Sequence, residues 1–81
     1  MRIPRDVSGD DLIKRLADLG YVPTRQSGSH VRLTRNDQDG SHSITVPLHA
    51  SLRVGTLNSI LNDVASHLSI AKEDLLRQLF S

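Results

Sequence analysis

Residues 21–35 read YVPTRQSGSHVRLTR, and this stretch decides the fold of the chain. Apolar and polar residues alternate along it, and a Ser-Gly-Ser turn at 27–29 interrupts the alternation. The stretch therefore predicts a β-hairpin with strands over 21–26 and 30–35. Because Pro23 has no N–H to donate to a neighbouring strand, the first strand is expected at the edge of the sheet.

A third strand is predicted over 42–47, after a polar turn at 36–40. In the middle strand the apolar residues share one face, which leaves His30 and Arg32 together on the other. We expect a turn with an even number of residues between the first two strands. The register that follows from it places Arg25 on the same face as His30 and Arg32. This register aligns two pairs of residues across the hairpin, Val22 and Thr24 with Val31 and Leu33.

An amphipathic helix precedes the hairpin, over about residues 9–19. Ser8 is its expected N-cap, and Asp11, three residues on, is the acidic partner of a capping box. Gly20 supplies the left-handed residue that ends it.

Two helices follow the third strand. The first begins at Gly55-Thr56 and carries apolar residues every three or four positions up to Leu68. A shorter helix is predicted over about 70–79, with Ser69 as its N-cap. The order α-β-β-β-α with an added terminal helix predicts an α+β sandwich, in which a three-stranded antiparallel sheet carries its helices on one face.

Length and composition restrict the class of protein. A chain of 81 residues builds one hydrophobic core, so we expect a single domain over residues 1–81. It contains no cysteine, which excludes disulfides and thiolate metal sites and fits a cytoplasmic protein. No apolar run approaches the roughly 18 residues of a membrane span, and the first residues lack the apolar block of a signal peptide.

The charge is unevenly distributed along the chain. The net charge is +1, but residues 1–35 hold seven basic against four acidic residues, while residues 36–81 hold three against five. Between Tyr21 and Arg35 there are three arginines and no acid. Such a patch can bind a short RNA, and the alternative is that Arg25, Arg32 and Arg35 form a solvated sheet face.

The segment from Arg25 to Arg32 combines groups suited to RNA cleavage. His30 can take the proton of a ribose 2′-hydroxyl, because a histidine gains and loses a proton near neutral pH. Arg25 and Arg32 can hold the phosphate, and backbone N–H groups around Gly28 can assist them. A second proton donor is not evident, and Ser29, His49 or water are the alternatives.

The Gly28-Ser29-His30 motif resembles the signature of HicA-type mRNA interferases, the toxins of HicA–HicB toxin–antitoxin systems. The resemblance extends over about residues 8–80, in a fixed order of segments. These are the helix start at Ser8–Ile13, the exit at Leu19–Tyr21, the segment Thr45–His49 and the helix start at Val54–Leu61.

The resemblance implies a fold, a function and a partner. The fold is that of a double-stranded RNA-binding domain, and the activity is cleavage of mRNA that depends on His30 and needs no metal or cofactor. Arg25, Gly28, Ser29 and Arg32 are the RNA-binding candidates beside it. The implied partner is a HicB-type antitoxin that covers the RNA-cleaving surface, including Arg25, His30 and Arg32, and contacts DNA on behalf of the complex.

Other interpretations remain open at this stage. The alternatives are a non-catalytic RNA-binding module and a protein-interaction module on the same fold. Among the other histidines, only His49 is an alternative for the second proton donor. His42 and His67 are expected to be solvated, and His49 is expected to shape the loop into the following helix.

Overall fold

The structure, a computed structural model, describes residues 3–38 and 40–80. Its elements in chain order are α1 (Gly9–Ala17), β1 (Val22–Ser27), β2 (His30–Asp37), β3 (Gly40–Pro47), α2 (Val54–Leu68) and α3 (Lys72–Phe80). The strands form one antiparallel sheet in the order β1-β2-β3. The predicted α+β layout, similar to a double-stranded RNA-binding domain, is confirmed, and β1 is an edge strand as Pro23 requires.

The sheet has one buried and one open face. Val31, Leu33, Ile44 and Val46 alternate along β2 and β3 and are buried against the helices. The residues between them are largely exposed and form what we call the outer face. This division leaves one side of the sheet available to a ligand.

A two-residue turn of Gly28 and Ser29 joins β1 to β2, because Ser27 pairs with His30. Gly28 has a φ of 56°, whereas Ser29 is not among the residues with positive φ. These signs match a type II′ turn, whose first central position favours glycine. The glycine therefore allows the chain to reverse directly before His30.

The predicted register of β1 is only partly correct. A bulge lies between Pro23 and Arg25, so that Val22 pairs with Thr34 and is 48% exposed. The alignment of Val22 and Thr24 with the apolar residues of β2 was therefore wrong. Pro23 cannot continue a regular ladder, and a bulge is a usual place for such a residue.

The connection between β2 and β3 is shorter than predicted. Asp37 pairs with Gly40, so both strands extend into the segment 36–40 that the sequence assigns to a turn. Of the two residues between them, Asp39 lies outside the described residues, as do Met1, Arg2 and Ser81. Polar composition suggested a loop here, but antiparallel pairing tolerates polar residues at an exposed hairpin end.

The start of α1 agrees with its predicted cap. The Ser8 hydroxyl accepts a hydrogen bond from the Asp11 N–H at 2.9 Å. The Asp11 carboxylate accepts one from Arg15 instead of completing a capping box. The helix ends at Ala17, two residues early, and Gly20 has the expected positive φ of 92°.

Ser69 has a different role from the predicted one. It ends α2 in the left-handed conformation, with a φ of 56°, instead of capping α3. The Ile70 N–H donates to the Ala65 carbonyl at 3.1 Å, which is the bond of a Schellman motif. Ser69 therefore ends α2 and cannot also cap α3, which begins at Lys72.

The helices complete the core on the inner face of the sheet. α1 and α2 pack on the strands, and α3 packs mainly against these two helices. Leu12, Leu16, Leu33 and Leu61 are among the side chains with no exposed surface. No described helix has the length and apolar character to cross a membrane.

Candidate nucleic-acid interface and active site

His30 is the first residue of β2, directly after the Gly28-Ser29 turn, and it is exposed on the outer face. Its neighbours across the two strand pairs are Ser27 and Pro47. The Ser29 carbonyl accepts a hydrogen bond from the Leu48 N–H at 2.6 Å, which extends the β2–β3 ladder to the turn. The position of His30 is therefore fixed by backbone on both sides while its ring faces solvent.

Arg25 and Arg32 lie directly opposite each other on β1 and β2. Both are exposed, and no carboxylate of the described residues forms a salt bridge with either. Two like charges at directly paired positions destabilise a sheet. The repulsion between these two arginines therefore destabilises the hairpin, and a bound anion would reduce it.

The arginines are close to the histidine because of the strand period. Arg32 is two residues from His30 on the same face, a separation of about 7 Å along the strand. The predicted placement of Arg25 on this face is confirmed, even though the bulge changes the register beyond it. One face therefore presents a titratable imidazole and two guanidinium groups to a bound molecule.

Among the described strand residues, none on the outer face has an acidic side chain. Its members are Val22, Thr24, Arg25, Ser27, His30, Arg32, Thr34, Asn36, Ser41, Ser43, Thr45 and Pro47, of which Pro47 is buried. Asp37, the one aspartate among the described strand residues, lies on the inner face of the sheet by the alternation of β2. The face is thus positive and rich in hydroxyl groups, although the whole chain is almost neutral.

The N-terminus of α1 supports this end of the sheet. The Gly9 N–H donates to the carbonyl of His49 at 2.9 Å. A Cβ at Gly9 would lie 2.0 Å from the Pro47 carbonyl oxygen, so only glycine fits here. The His49 carbonyl therefore joins the end of β3 to the start of α1, whereas the sequence suggested that His49 shapes the loop into α2. His49 is exposed.

His42 and His67 form a second cluster at the other end of the sheet. Their rings are stacked, with centroids 4.2 Å apart and planes 9° from parallel. His42 Nε2 lies 3.2 Å from the Asp63 carboxylate, and its Nδ1 lies 2.7 Å from the hydroxyl of Tyr21. The prediction that His42 is solvated was wrong, since only 17% of its side chain is exposed.

The tautomer of His42 follows from its partners. A carboxylate only accepts, so the Nε2 carries the proton that goes to Asp63; in a neutral imidazole the Nδ1 then accepts from Tyr21. Burial raises the pKa of the Tyr21 hydroxyl, which keeps it protonated as this bond requires. The cluster ties β3 to α2 and to Tyr21, the residue directly before β1.

The sequence contained a signal for this cluster. His42 is in phase with Ile44 and Val46, and the period of two places it on the inner face with them. His67 is exposed, as expected, but its Nε2 also lies 2.7 Å from the Asp37 carboxylate. Contacts between β2 and α2 are long-range, so spacing along the chain does not indicate them.

Asp37 makes the stability of the fold depend on pH. The hydrogen bond from His67, opposed by partial burial and supported by Arg35, lowers the pKa of this carboxyl below its usual 3.8. The ionised form therefore stabilises the fold above the unfolded pKa, and this contribution disappears as the pH falls through the folded pKa. We expect Asp37→Asn to lower the free energy of unfolding at neutral pH, and the variant and the wild type to converge in acid. Urea denaturation between pH 7 and 3 measures both.

Asp10→Asn is the matched control, because Asp10 forms an exposed salt bridge with Lys14 on α1. An exposed pair contributes little to stability, so this variant should follow the wild type throughout. A constant difference between Asp37→Asn and the wild type at every pH would contradict the prediction.

The two ends of the sheet are separate sites. A pocket of about 450 Å³ is lined by Asp37, Gln38, Gly40, Ser41 and His67. It lies about seven residues along β2 from His30, roughly 24 Å away. Within residues 3–38 and 40–80, no group of three His, Asp or Glu side chains is arranged to hold a metal ion.

Comparison with protein families identifies the chain. The model for the HicA toxin of bacterial toxin–antitoxin systems matches residues 9–65. The chain belongs to the HicA toxin family. No curated protein and no solved structure matches it significantly. The matched residues include α1, the sheet and α2 up to Ala65, and therefore every candidate site residue. The match does not include α3, so it is shorter than the resemblance over about residues 8–80 that the sequence motifs indicate.

Proposed function

We propose that this HicA-family toxin is an endoribonuclease that cleaves mRNA in the cytoplasm with His30 as its general base. One observation carries the proposal: His30 shares an exposed, acid-free face with two directly opposed arginines. Unpaired like charges at such positions weaken the sheet, so their presence is explained by a phosphate ligand. The family membership supports the toxin role.

Each group has a distinct task in this mechanism. The His30 imidazole removes the proton from a ribose 2′-hydroxyl, which then attacks the adjacent phosphorus. Arg25 and Arg32 stabilise the added negative charge of the phosphorane, and N–H groups of the adjoining Gly28-Ser29 turn can assist them. The leaving 5′-oxygen takes a proton from Ser29, His49 or water.

The antitoxin of the system is proposed to bind the same face. A HicB-type protein that covers His30 would inhibit cleavage directly, and the outer face is the side of the sheet that the helices leave open. An antitoxin with acidic groups opposite Arg25 and Arg32 fits its charge. Unchanged antitoxin affinity in an Arg32→Glu chain would contradict this assignment.

Arg32→Ala tests the phosphate role. We expect the purified wild-type chain to bind and cleave a labelled single-stranded RNA, and Arg32→Ala to cleave it about tenfold to a hundredfold more slowly. The charge-assisted hydrogen bonds to phosphate that it removes are worth roughly 1.5–3 kcal/mol. The slope of binding affinity against salt concentration should also decrease, because one phosphate contact is lost.

Lys14→Ala changes the net charge equally and is the control. Lys14 is exposed on α1, on the helical side of the molecule, and it pairs with Asp10. Cleavage and salt dependence should match the wild type. If Lys14→Ala and Arg32→Ala behave alike, or if the wild-type chain leaves RNA intact, the proposed function is wrong.

A further inference from the structure

Three hydroxyl groups form a continuous row across the outer face. Thr34 lies in the middle, with its Oγ1 2.9 Å from the Oγ1 of Thr24 and 3.0 Å from the Oγ of Ser43. The row thus joins all three strands, and Thr24 is placed in it by the bulge of β1. We call these three side chains the hydroxyl row.

The hydroxyl row lies beside the arginines. Thr34 follows Arg32 by two residues on the same face of β2, so the two are about 7 Å apart. Along this strand the outer face therefore presents His30, then the arginine pair, then the hydroxyl row. A nucleic acid bound at His30 and Arg32 that extends in this direction meets the hydroxyl row next.

The balance of protons and lone pairs decides what the row can bind. A hydroxyl has one proton and two lone pairs, so the two bonds within the row use two of its three protons, whichever way they run. The Thr24 Oγ1 also lies 3.4 Å from the Arg32 carbonyl, which offers an acceptor for the remaining proton. The row therefore presents mainly lone pairs to a ligand.

We propose that the hydroxyl row binds a ribose 2′-hydroxyl of single-stranded RNA, in a nucleotide that flanks the cleaved bond. This inference rests on the proposed function and adds a subsite to it. A row that presents mainly lone pairs suits a 2′-hydroxyl, which donates as well as accepts, better than a phosphate, which only accepts. The arginines thus hold the phosphate, while the hydroxyl row distinguishes RNA from DNA.

Thr34→Val in a His30→Ala background tests the inference without cleavage of the probe. Valine keeps the branched shape that favours a strand but lacks the hydroxyl. The probes are a labelled RNA octamer and the DNA octamer of the same sequence. We expect RNA affinity to fall about threefold to tenfold and DNA affinity to stay within twofold, so that the preference for RNA decreases. Thr34→Ser keeps the hydroxyl and should restore RNA affinity.

The other outcomes have separate meanings. RNA affinity unchanged by Thr34→Val, but weakened by Arg32→Ala, overturns the subsite and leaves the proposed function in place. An equal loss for RNA and DNA also overturns the ribose contact, because it indicates a general change of the surface. If the His30→Ala parent binds no RNA, both the subsite and the proposed function fail. Circular dichroism of each variant verifies the fold.

Discussion

His30→Ala is expected to lower RNA cleavage by about a thousandfold while the chain remains folded. A general base typically contributes a factor of 10²–10⁴, and alanine at this exposed position removes no buried contact. Induction of the wild-type chain should arrest growth and degrade mRNA, whereas induction of the variant should do neither. The purified proteins are compared on a labelled RNA, with circular dichroism to confirm the fold.

Two controls separate catalysis from binding. The His30→Ala chain should still bind RNA, because Arg25 and Arg32 are unchanged. The wild-type chain should leave a DNA oligomer intact, because the attacking 2′-hydroxyl is absent from it, and should retain activity in a chelator. Equal cleavage by a folded His30→Ala chain would remove His30 from the mechanism, and the chain would then be described better as a binding module.

Gly9→Ala is expected to have the largest effect on stability. The added Cβ would lie 2.0 Å from the Pro47 carbonyl oxygen, a backbone atom that cannot move without shifting β3. Overpacking of this kind costs about 3 kcal/mol, which for a chain of this size lowers the Tm by roughly 15 °C. Pro47 is the cross-strand neighbour of His30, so RNA cleavage should decrease as well. Thermal unfolding followed by circular dichroism measures the change.

Gly55→Ala makes the same chemical change in open space. No atom lies within 4 Å of a Cβ at this position, near the start of α2. Alanine favours a helix more than glycine does, so stability should be unchanged or higher by up to about 1 kcal/mol. If both substitutions had the same effect, the contact between α1 and β3 would not limit stability.

The opposed arginines illustrate how function opposes folding in this chain. Local preferences in a folded protein usually agree with its overall structure, and exceptions concentrate at functional sites. Arg25 and Arg32 are such an exception, because they repel each other across the hairpin. The His42–His67 cluster is different, since each ring has a carboxylate partner there. Its groups stabilise the fold at the end of the sheet remote from His30.

The sequence by itself determined the order of elements, the hairpin at Gly28 and the face that carries His30 and Arg32. These features depend on local signals: a period of two in strands, a period near 3.6 in helices, and glycine where φ is positive. Arg25 was placed correctly because it lies between the turn and the bulge. The Gly28-Ser29-His30 motif also indicated the family from the sequence, and the family match includes these residues.

The tertiary structure alone decided the bulge at Thr24, the hydroxyl row, the role of Ser69 and the partners of His42. Each depends on groups distant in sequence: the hydroxyl row joins three strands, and His42 needs Tyr21 and Asp63 as partners. A bulge changes which side chains share a face without changing the composition of the strand. Local patterns therefore predict the elements, whereas the contacts between them follow from packing and hydrogen bonding in three dimensions.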